Sequence, residues 1–530
     1  MKSVSQHLFA LAPQARIPRS KFVQPFTYKT CFNAGYLIPF YVDEALPGDT
    51  FVGKITAFAR LTTPIVPFMD NLYLDFHFFA VPNRLLWVNW SKMMGEQDNP
   101  GDSIDYLVPY INSGADGVPV QSMHDYMGIP PLVPYLQFNA LYARAYNKIW
   151  NAWYRDENLQ DSIPEHVDDG PDPISDYPLR QRGKRKDYFT SCLPSPQRGP
   201  GVTIPIGTSA PVFGNGNTIY LNRRNGVGQD LNMVWDNSGY LIAEHPDGNW
   251  NDHGVVFSNN HAALSADLSQ ATGATINSLR QAFQLQRLLE RDERSGGKRL
   301  TEILQAHFGV VNPDSRMQRP EYLGGGSLPV QIHSVAQTAS TNETSPQGHL
   351  AAFGVSGGNV GFSKSFTEHC VVMGFVSVRA DLTYQQGLHR MFSRRSRYDY
   401  YWPALANLGE QAVLNKEIFA QGVDVKDAQE NIVDDKVFGY QERWAEYRYG
   451  VSKITGKLRS QVPNSLDVWH LAENFSSLPV LNDSFIRSEP PLSRVLAVQN
   501  EPQFVFDSNV LVTKVRPMPL YSVPGLIDHF

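Results

Sequence analysis

Near the start of the chain, apolar and polar residues alternate between turn signals, and this pattern predicts a β-meander over residues 27–81. Alternation of this kind is typical of a strand with one buried face. Pro, Gly and Asp then mark the turns. Beyond the meander we predict a short helix over Leu85–Met94, with Asn83 as its cap and Gly95 at its end. The predicted strands are residues 36–42, 50–61 and 72–81.

The stretch from residue 96 to 365 has a different pattern, with many Pro and Gly breaks and no regular strand spacing. Apolar residues recur at helical spacing over Phe138–Tyr154 and again from Ile276 onward. Thr301 is the expected cap of a further helix that ends near Phe308. This stretch is therefore predicted to be largely irregular, with a few helices.

Residues Pro211–His261 within this stretch are dense in Asn and Gly, and Trp235 and Trp250 lie there among polar neighbours. Such a composition is typical of a surface excursion rather than of a core. Strand patterns return towards the end of the chain. Strands at both ends of a long middle predict one antiparallel β system with inserted helices. The later strands are placed at residues 370–382, 444–455 and 503–515.

Several stretches resemble the major capsid proteins of the microviruses, small single-stranded-DNA bacteriophages, both in their amino-acid sequence and in their order along the chain. They include residues 32–50, 69–87 and 397–404. The similarity is greatest to their gokushovirus branch. The resemblance implies a mainly β fold, an eight-stranded antiparallel jelly roll with very long inserted loops that contain a few helices. It also implies that a variable insertion, here at about residues 208–262, forms protrusions at the threefold axes of the shell.

The strand pattern and the resemblance together predict four parts of the chain. These are a basic N-terminal arm (1–26), the first jelly-roll strands (27–95), a long insertion with helices that includes the protrusion (96–365), and the remaining jelly-roll strands with the C-terminal segment (366–530).

Charge is unevenly distributed along the chain, although the net charge of −6 is small for 530 residues. Residues 1–42 contain no Asp or Glu, and their cations include Arg16, Arg19 and Lys21. A basic arm of this kind can reach nucleic acid or a neighbouring subunit, and the resemblance to a capsid favours that use. A solvated, poorly ordered terminus is the alternative.

The segment from residue 390 to 402 interleaves arginines with aromatic residues and is the main candidate for nucleic-acid binding. Guanidinium groups pair with phosphates, and aromatic faces stack on bases at about 1–3 kcal/mol each. The same residue types anchor protein–protein contacts, so a subunit interface is the other interpretation. The candidate residues are Arg390, Arg394, Arg395, Arg397, Tyr398 and Trp402.

Two further charged runs are less specific. The basic run Arg180–Lys186 is interpreted as a solvated loop or an interface, with phosphate contact as the alternative. The acidic run Asp168–Asp176 precedes it and is expected to neutralise it. Carboxylates can also hold a hard cation, but the run lacks the spacing of an EF-hand. We therefore expect no metal and no cofactor.

Catalytic signatures are missing for the phosphate-binding and zinc-protease classes, because the sequence contains no GxxxxGK[ST] or HExxH motif. Its three cysteines are far apart and predict folding in a reducing compartment without a disulfide framework. No apolar run is long enough for a signal peptide or a membrane span. These features predict cytoplasmic synthesis, no insertion into a membrane and no enzymatic activity.

The resemblance implies a major capsid protein that assembles in the cytoplasm of a bacterial host into the T=1 icosahedral shell of a virion, around circular single-stranded DNA. The implied partners are further copies in pentamers, the genome, a small basic DNA-binding protein, a scaffolding protein where assembly needs one, and a host surface receptor that the variable loop contacts. One alternative is a β-sandwich enzyme acting on polysaccharide, which needs paired carboxylates in a Trp-lined groove. The other is a phage receptor-binding protein, which would be a trimer with a fibrous repeat.

Overall fold

The computed structural model describes residues 17–203, 276–294, 298–343 and 346–521, together with the backbone of short strands between residues 212 and 266. Its main feature is an eight-stranded antiparallel sheet. The strands are β1 (Ser20–Phe32), β2 (Ile38–Ala45), β3 (Thr50–Leu61), β4 (Leu72–Pro82), β5 (Glu321–Ala336), β6 (Leu350–Ser365), β7 (Cys370–Ala380) and β8 (Phe504–Arg516).

The strand order in this sheet is β1-β8-β3-β6-β5-β4-β7-β2. It divides into a first sheet, β1-β8-β3-β6, and a second sheet, β5-β4-β7-β2. The two are joined where the end of β5 pairs with the start of β6, from Gln331↔Val355 to Ala336↔Leu350. Two four-stranded sheets that share their strands in this alternating way form a jelly roll. The predicted fold class is therefore confirmed.

The first and second sheets enclose one hydrophobic core. The ring of Phe506 in the first sheet lies 6.0 Å from that of Phe40 and 6.2 Å from that of Phe76, both in the second sheet. Buried aromatic rings supply large apolar areas, so these contacts hold the two sheets together. The fully buried phenylalanines of this core include Phe32, Phe51, Phe504 and Phe506 from the first sheet and Phe40, Phe76 and Phe78 from the second.

The outer face of the second sheet is covered by helix α1 (Leu141–Ile149), which continues into a π-helical turn, Trp150–Tyr154. Tyr146 of α1 is fully buried, and its ring lies 5.6 Å from that of Phe375 in β7. The helical face predicted for residues 138–154 is thus confirmed over most of its length. It closes a second hydrophobic cluster on this side of the jelly roll.

Strands β5 and β6 correct the predicted layout, because both lie inside the range 96–365 that was assigned to the insertion. Their strand signal was hidden by glycine and serine at many positions. Gly325 shows why glycine is needed there: a Cβ atom at this residue would lie 2.0 Å from the carbonyl oxygen of Phe76 on β4. The close approach of two backbones favours glycine over a typical strand residue.

Two predictions near the start of the chain also change. Strand β1 begins at Ser20, so the last part of the predicted arm is an edge strand paired with β8. The helix predicted over Leu85–Met94 is instead a 3-10 turn, Asn83–Leu85, followed by a single helical turn, Trp90–Met93. Asn83 belongs to the first turn and is not its cap.

The strand predicted at residues 444–455 is wrong. Trp444 has a left-handed backbone conformation, with φ of 59°, and a 3-10 turn, Ala445–Tyr447, follows it. A left-handed residue with a side chain interrupts a strand. The strand in this region is Val437–Glu442, which ends before Trp444 and pairs with Glu410–Leu414.

The helices predicted in the middle of the chain are present as α2 (Ile276–Arg294) and α3 (Leu300–Phe308), with Arg299 and not Thr301 at the N-cap of α3. The other described elements are short. They are the helical turns Met123–Tyr126, Asn415–Ile418 and Asp483–Ile486, the strands Tyr110–Asn112 and Gln137–Asn139, and the 3-10 turns Ile174–Asp176, Arg390–Ser393, Arg397–Asp399, Pro403–Leu405, Val433–Asp435, Gly456–Leu458, Asp467–Trp469 and Leu492–Arg494.

Residues Gln197–Arg291 form a separate compact unit. The predicted excursion Pro211–His261 falls within it, and most of its residues lie outside the described ones. Among the described residues, none of the helices has the length and apolar character to cross a bilayer. The short strands of the unit are Val212–Gly214, Leu221–Arg223, Asp230–Trp235, Leu241–Glu244, Val255–Phe257 and Leu264–Ala266.

Candidate subunit and nucleic-acid interface

The segment from residue 390 to 402 folds into two 3-10 turns that follow one another. Asp399 fixes the second turn, Arg397–Asp399. Its carboxylate accepts hydrogen bonds from the backbone N–H groups of Ser396, at 2.7 Å, and Arg395, at 2.8 Å. These hydrogen bonds hold the pKa of the Asp399 carboxyl below its usual value. The turns direct two of the four arginines towards the protein and two towards solvent.

Arg390 and Arg394 are the two arginines that face the protein. Arg390 Nη1 lies 2.9 Å from Glu417 Oε1, and Arg394 Nη2 lies 2.8 Å from Glu446 Oε1. Both carboxylates are buried. Burial raises the pKa of Glu417, and the charge of Arg390 opposes that shift. The charges of both arginines are therefore already compensated within the subunit.

Arg395 and Arg397 face solvent beside a set of exposed aromatic side chains. The Arg397 guanidinium carbon lies 4.7 Å from the centre of the Trp402 ring, and Trp402 Nε1 donates a hydrogen bond to the Arg397 carbonyl oxygen at 3.0 Å. Exposed Tyr and Trp side chains beside an Arg are typical of a contact site. We call the following residues the aromatic patch: Phe392 (66% exposed), Tyr398 (61%), Tyr400 (53%), Tyr401 (50%) and Trp402 (38%).

A cavity of about 370 Å³ is lined by Tyr398 of the aromatic patch and by side chains of both charges. A phosphate entering it would meet carboxylates as well as cations. Nucleic-acid sites favour a clear excess of positive charge. The balance of charge here therefore favours the subunit interface over the genome contact. Its charged lining residues are Arg390, Arg394, Lys416 and Arg443 with Asp399, Glu410 and Glu417.

The basic run Arg180–Lys186 is packed against the second sheet and is not a solvated loop. Arg182 Nη1 lies 2.7 Å from Asp75 Oδ2 on β4, and Lys184 Nζ lies 2.7 Å from Glu473 Oε1. Burial alone would raise the pKa of Asp75, but hydrogen bonds and the cations beside it lower it overall. Within this run, Arg185 and Lys186 are the exposed cations.

The acidic run Asp168–Asp176 pairs with the buried Arg144 and not, as predicted, with the basic run Arg180–Lys186. Arg144 of α1 is buried, and its Nη2 atom lies 2.6 Å from Asp172 Oδ1 and 3.3 Å from Asp168 Oδ1. Ligand atoms of His166, Asp168 and Asp172 lie within 4.8 Å of one another. The guanidinium of Arg144 already supplies the positive charge between the two carboxylates, so this group does not fit a metal ion.

The basic arm is described only from residue 17 onward, so Arg16 lies outside the described residues. Arg19 Nη2 donates a hydrogen bond to Thr50 Oγ1 at 2.9 Å. Lys21 is exposed on strand β1. The described end of the arm thus belongs to the first sheet. It is far from the aromatic patch in the sequence and lies on a different structural element.

Comparison with known proteins shows similarity along nearly the whole chain. The family described as capsid protein (F protein) matches residues 10–526. The chain is 47% identical to the capsid protein VP1 of Bdellovibrio phage phiMH2K, over 99% of both chains. It is 42% identical to the capsid protein VP1 of Chlamydia phage 1, over 99% of this chain and 98% of that one. For the capsid protein VP1 of Spiroplasma virus 4 the identity is 37%, over 98% and 97%.

Proposed function

Because the chain belongs to the capsid protein (F protein) family, we propose that its copies close into a T=1 icosahedral shell around a circular single-stranded DNA genome. Its role is structural, as a subunit of a multimeric shell, and its place is the virion. The family assignment favours this function over a polysaccharide-active enzyme or a trimeric receptor-binding protein. Assembly in the cytoplasm of a bacterial host is part of the same proposal.

The observation that carries the proposed assembly is the exposure of the aromatic patch. Tyr and Trp with a neighbouring Arg are the usual anchors of protein–protein interfaces. We place the aromatic patch at a contact with a different surface of the next subunit. Such heterologous contacts generate closed rings, including pentamers, when the rotation between neighbours closes.

The direct test is to express the full chain in bacteria and measure particle mass by sedimentation, with electron microscopy of the heaviest fraction. Closed, roughly spherical shells of uniform mass support the proposal. A monomer or trimer that stays soluble, both alone and with phage partners co-expressed, would contradict it. The partners to co-express are a small basic DNA-binding protein and a scaffolding protein, which the proposal places inside the shell or at its assembly.

We expect the double substitution Tyr398→Ala/Trp402→Ala to abolish closed shells while leaving the subunit folded, because both side chains are exposed and support no core. Losing two interface anchors costs on the order of 4 kcal/mol per contact, repeated around the shell. Shells are measured by sedimentation and folding by thermal melting. Tyr521→Ala, which removes an 80% exposed ring elsewhere, is the matched control and should assemble normally.

The same pair of variants decides between the two interpretations of the aromatic patch. Shells that form in normal yield but contain less DNA would favour the nucleic-acid interpretation of Arg395, Arg397, Tyr398 and Trp402. In that case Arg395→Gln/Arg397→Gln should also reduce the DNA content. Normal shells with normal DNA content would contradict both interpretations.

We also propose that residues 211–261 carry the variable protrusion at the threefold axes and contact a receptor on the host surface. The support is their Asn- and Gly-rich composition and their place in a unit separate from the jelly roll. Replacing the segment with a short Gly/Ser linker should leave shells intact and reduce adsorption to host cells at least tenfold. Particles that adsorb as well as the parent would refute this role.

A further inference from the structure

The outer face of the first sheet is uncovered in the part of the chain that the structure describes. Burial alternates along β3 from Phe51 to Leu61, so each second side chain points away from the core. Strands β8 and β6 show the same alternation over most of their length. The opposite outer face, that of the second sheet, is covered by α1 and buried. The first sheet therefore presents a broad face that no described element covers.

This face carries an excess of positive charge, against the net charge of −6 for the whole chain. Four cations and one carboxylate stand at its outward positions. The carboxylate, Asp507, lies opposite Lys29 in the pairing of β8 with β1, with 4.0 Å between its Oδ2 and Lys29 Nζ. Among the described residues, no carboxylate forms an ion pair with the three other cations, all of which are exposed. The four cations are Lys21 and Lys29 on β1 and Lys54 and Arg60 on β3.

Two exposed aromatic side chains lie among these cations. Phe58 is 44% exposed, and the guanidinium carbon of Arg60 lies 5.7 Å from the centre of its ring. Phe353 of β6 is 47% exposed and stacks on His333 of β5, with ring centres 5.1 Å apart and planes inclined by 26°. Both rings are therefore supported by a neighbour on one side and available to a further planar group.

Several outward positions between the charged and aromatic residues carry a small side chain or none. Thr56 of β3 lies opposite Asn359 of β6 and donates a hydrogen bond to it at 2.7 Å. Gly357 and Gly361 occupy further outward positions of β6, where they leave space above the sheet. At these positions of β3 and β6 a flexible chain can approach the strands closely.

We propose that this outer face, defined by Lys21, Lys29, Lys54, Arg60, Phe58 and Phe353, binds the packaged single-stranded DNA. The proposal rests on the proposed function as a capsid around such a genome. Cations that track phosphates, combined with aromatic faces that stack on bases, are what single-stranded nucleic acid requires. A second copy docking by this same face would bring like charges together, and a small basic protein would be repelled by it.

The charge part of the proposal is tested by binding of fluorescein-labelled oligodeoxythymidylate to the full-length protein at several salt concentrations. Each phosphate contact on a single strand contributes about 0.7 to the slope of log K against log salt. Lys54→Gln/Arg60→Gln should therefore reduce the slope by about 1.4. The matched control is Arg316→Gln/Lys457→Gln, which removes two exposed cations from other surfaces and should leave the slope unchanged.

The stacking part has its own expected result. Phe58→Ala/Phe353→Ala should weaken binding at least fivefold, roughly the loss of one stacked base, and leave the salt slope as it was. Equal slopes for the Lys54/Arg60 variant and its control, or unchanged affinity in the phenylalanine variant, would overturn the proposal. Sedimentation of the same proteins separates the two claims. Wild-type shells with DNA binding that these variants do not affect refute this face alone, whereas absence of wild-type shells both alone and with phage partners co-expressed refutes the proposed function.

Discussion

Asp172→Asn should lower the free energy of unfolding of the subunit by about 3–5 kcal/mol. The side chains of Asp172 and Arg144 are each only 1% exposed, and they are joined by two hydrogen bonds, of 2.6 and 2.8 Å. Without the carboxylate, the guanidinium remains buried without a full compensating charge. The carbonyl oxygens of Leu86 and Asp168 also accept hydrogen bonds from Arg144, which keeps its guanidinium in place.

Asp168→Asn is the matched control for this variant. It removes a carboxylate that contacts the same guanidinium, at 3.3 Å, but whose side chain is 74% exposed. Exposed ion pairs contribute about 1 kcal/mol or less. Urea unfolding of the unassembled subunit, followed by circular dichroism, measures both variants. Equal losses in the two would show that burial does not determine the strength of this ion pair.

The same pair has a pH dependence with a definite sign. Burial alone would raise the pKa of Asp172, but hydrogen bonds from Arg144 and Tyr177 outweigh it and bring the pKa below its ordinary value of 3.8. The unfolded chain then binds the proton more tightly than the folded one. The stabilisation is therefore complete above pH 3.8 and is lost as the pH falls through the folded-state pKa. Asp172→Asn should lose less stability than wild type over that acidic range.

Much of the jelly roll could be predicted from the sequence where one face of a strand is buried and the other exposed. Strand β3 has this alternation, and its observed bounds, Thr50–Leu61, are those predicted. Strands β5 and β6 could not be found in this way. Glycines such as Gly325 and Gly361, which allow the backbone to approach neighbouring strands, replace the side chains whose alternation would have identified them.

The candidate site shows a different limit of prediction from the sequence. The composition of residues 390–402 correctly indicated a surface with arginine and aromatic side chains. No local pattern distinguished Arg390 and Arg394 from the two exposed arginines, because their partners Glu417 and Glu446 lie 27 and 52 residues further along the chain. The resemblance to the microvirus capsid proteins also did not indicate which carboxylates pair with these arginines. Only the tertiary structure separates compensated charge from available charge.

Phe506→Ala is expected to destabilise the subunit by about 3–5 kcal/mol, because it opens a cavity where the two sheets meet. The Phe506 side chain is 1% exposed. Its ring lies between 6.0 and 6.2 Å from those of Phe32, Phe40 and Phe76, which belong to three different strands. Loss of this ring removes contacts within the first sheet and across to the second, and the surrounding rings cannot all move to fill the space.

Val505→Ala provides the control, since it removes an apolar side chain from the adjacent residue of the same strand but on the outer face, where Val505 is 58% exposed. Exposed substitutions of this kind usually change stability by less than about 0.5 kcal/mol. Urea unfolding of the unassembled subunit should therefore separate the two neighbours clearly. If both variants unfold at the wild-type urea concentration, the sheets are not held together by this aromatic core. If only Phe506→Ala is destabilised, the same strand has one side that stabilises the subunit and another that contributes little to its stability.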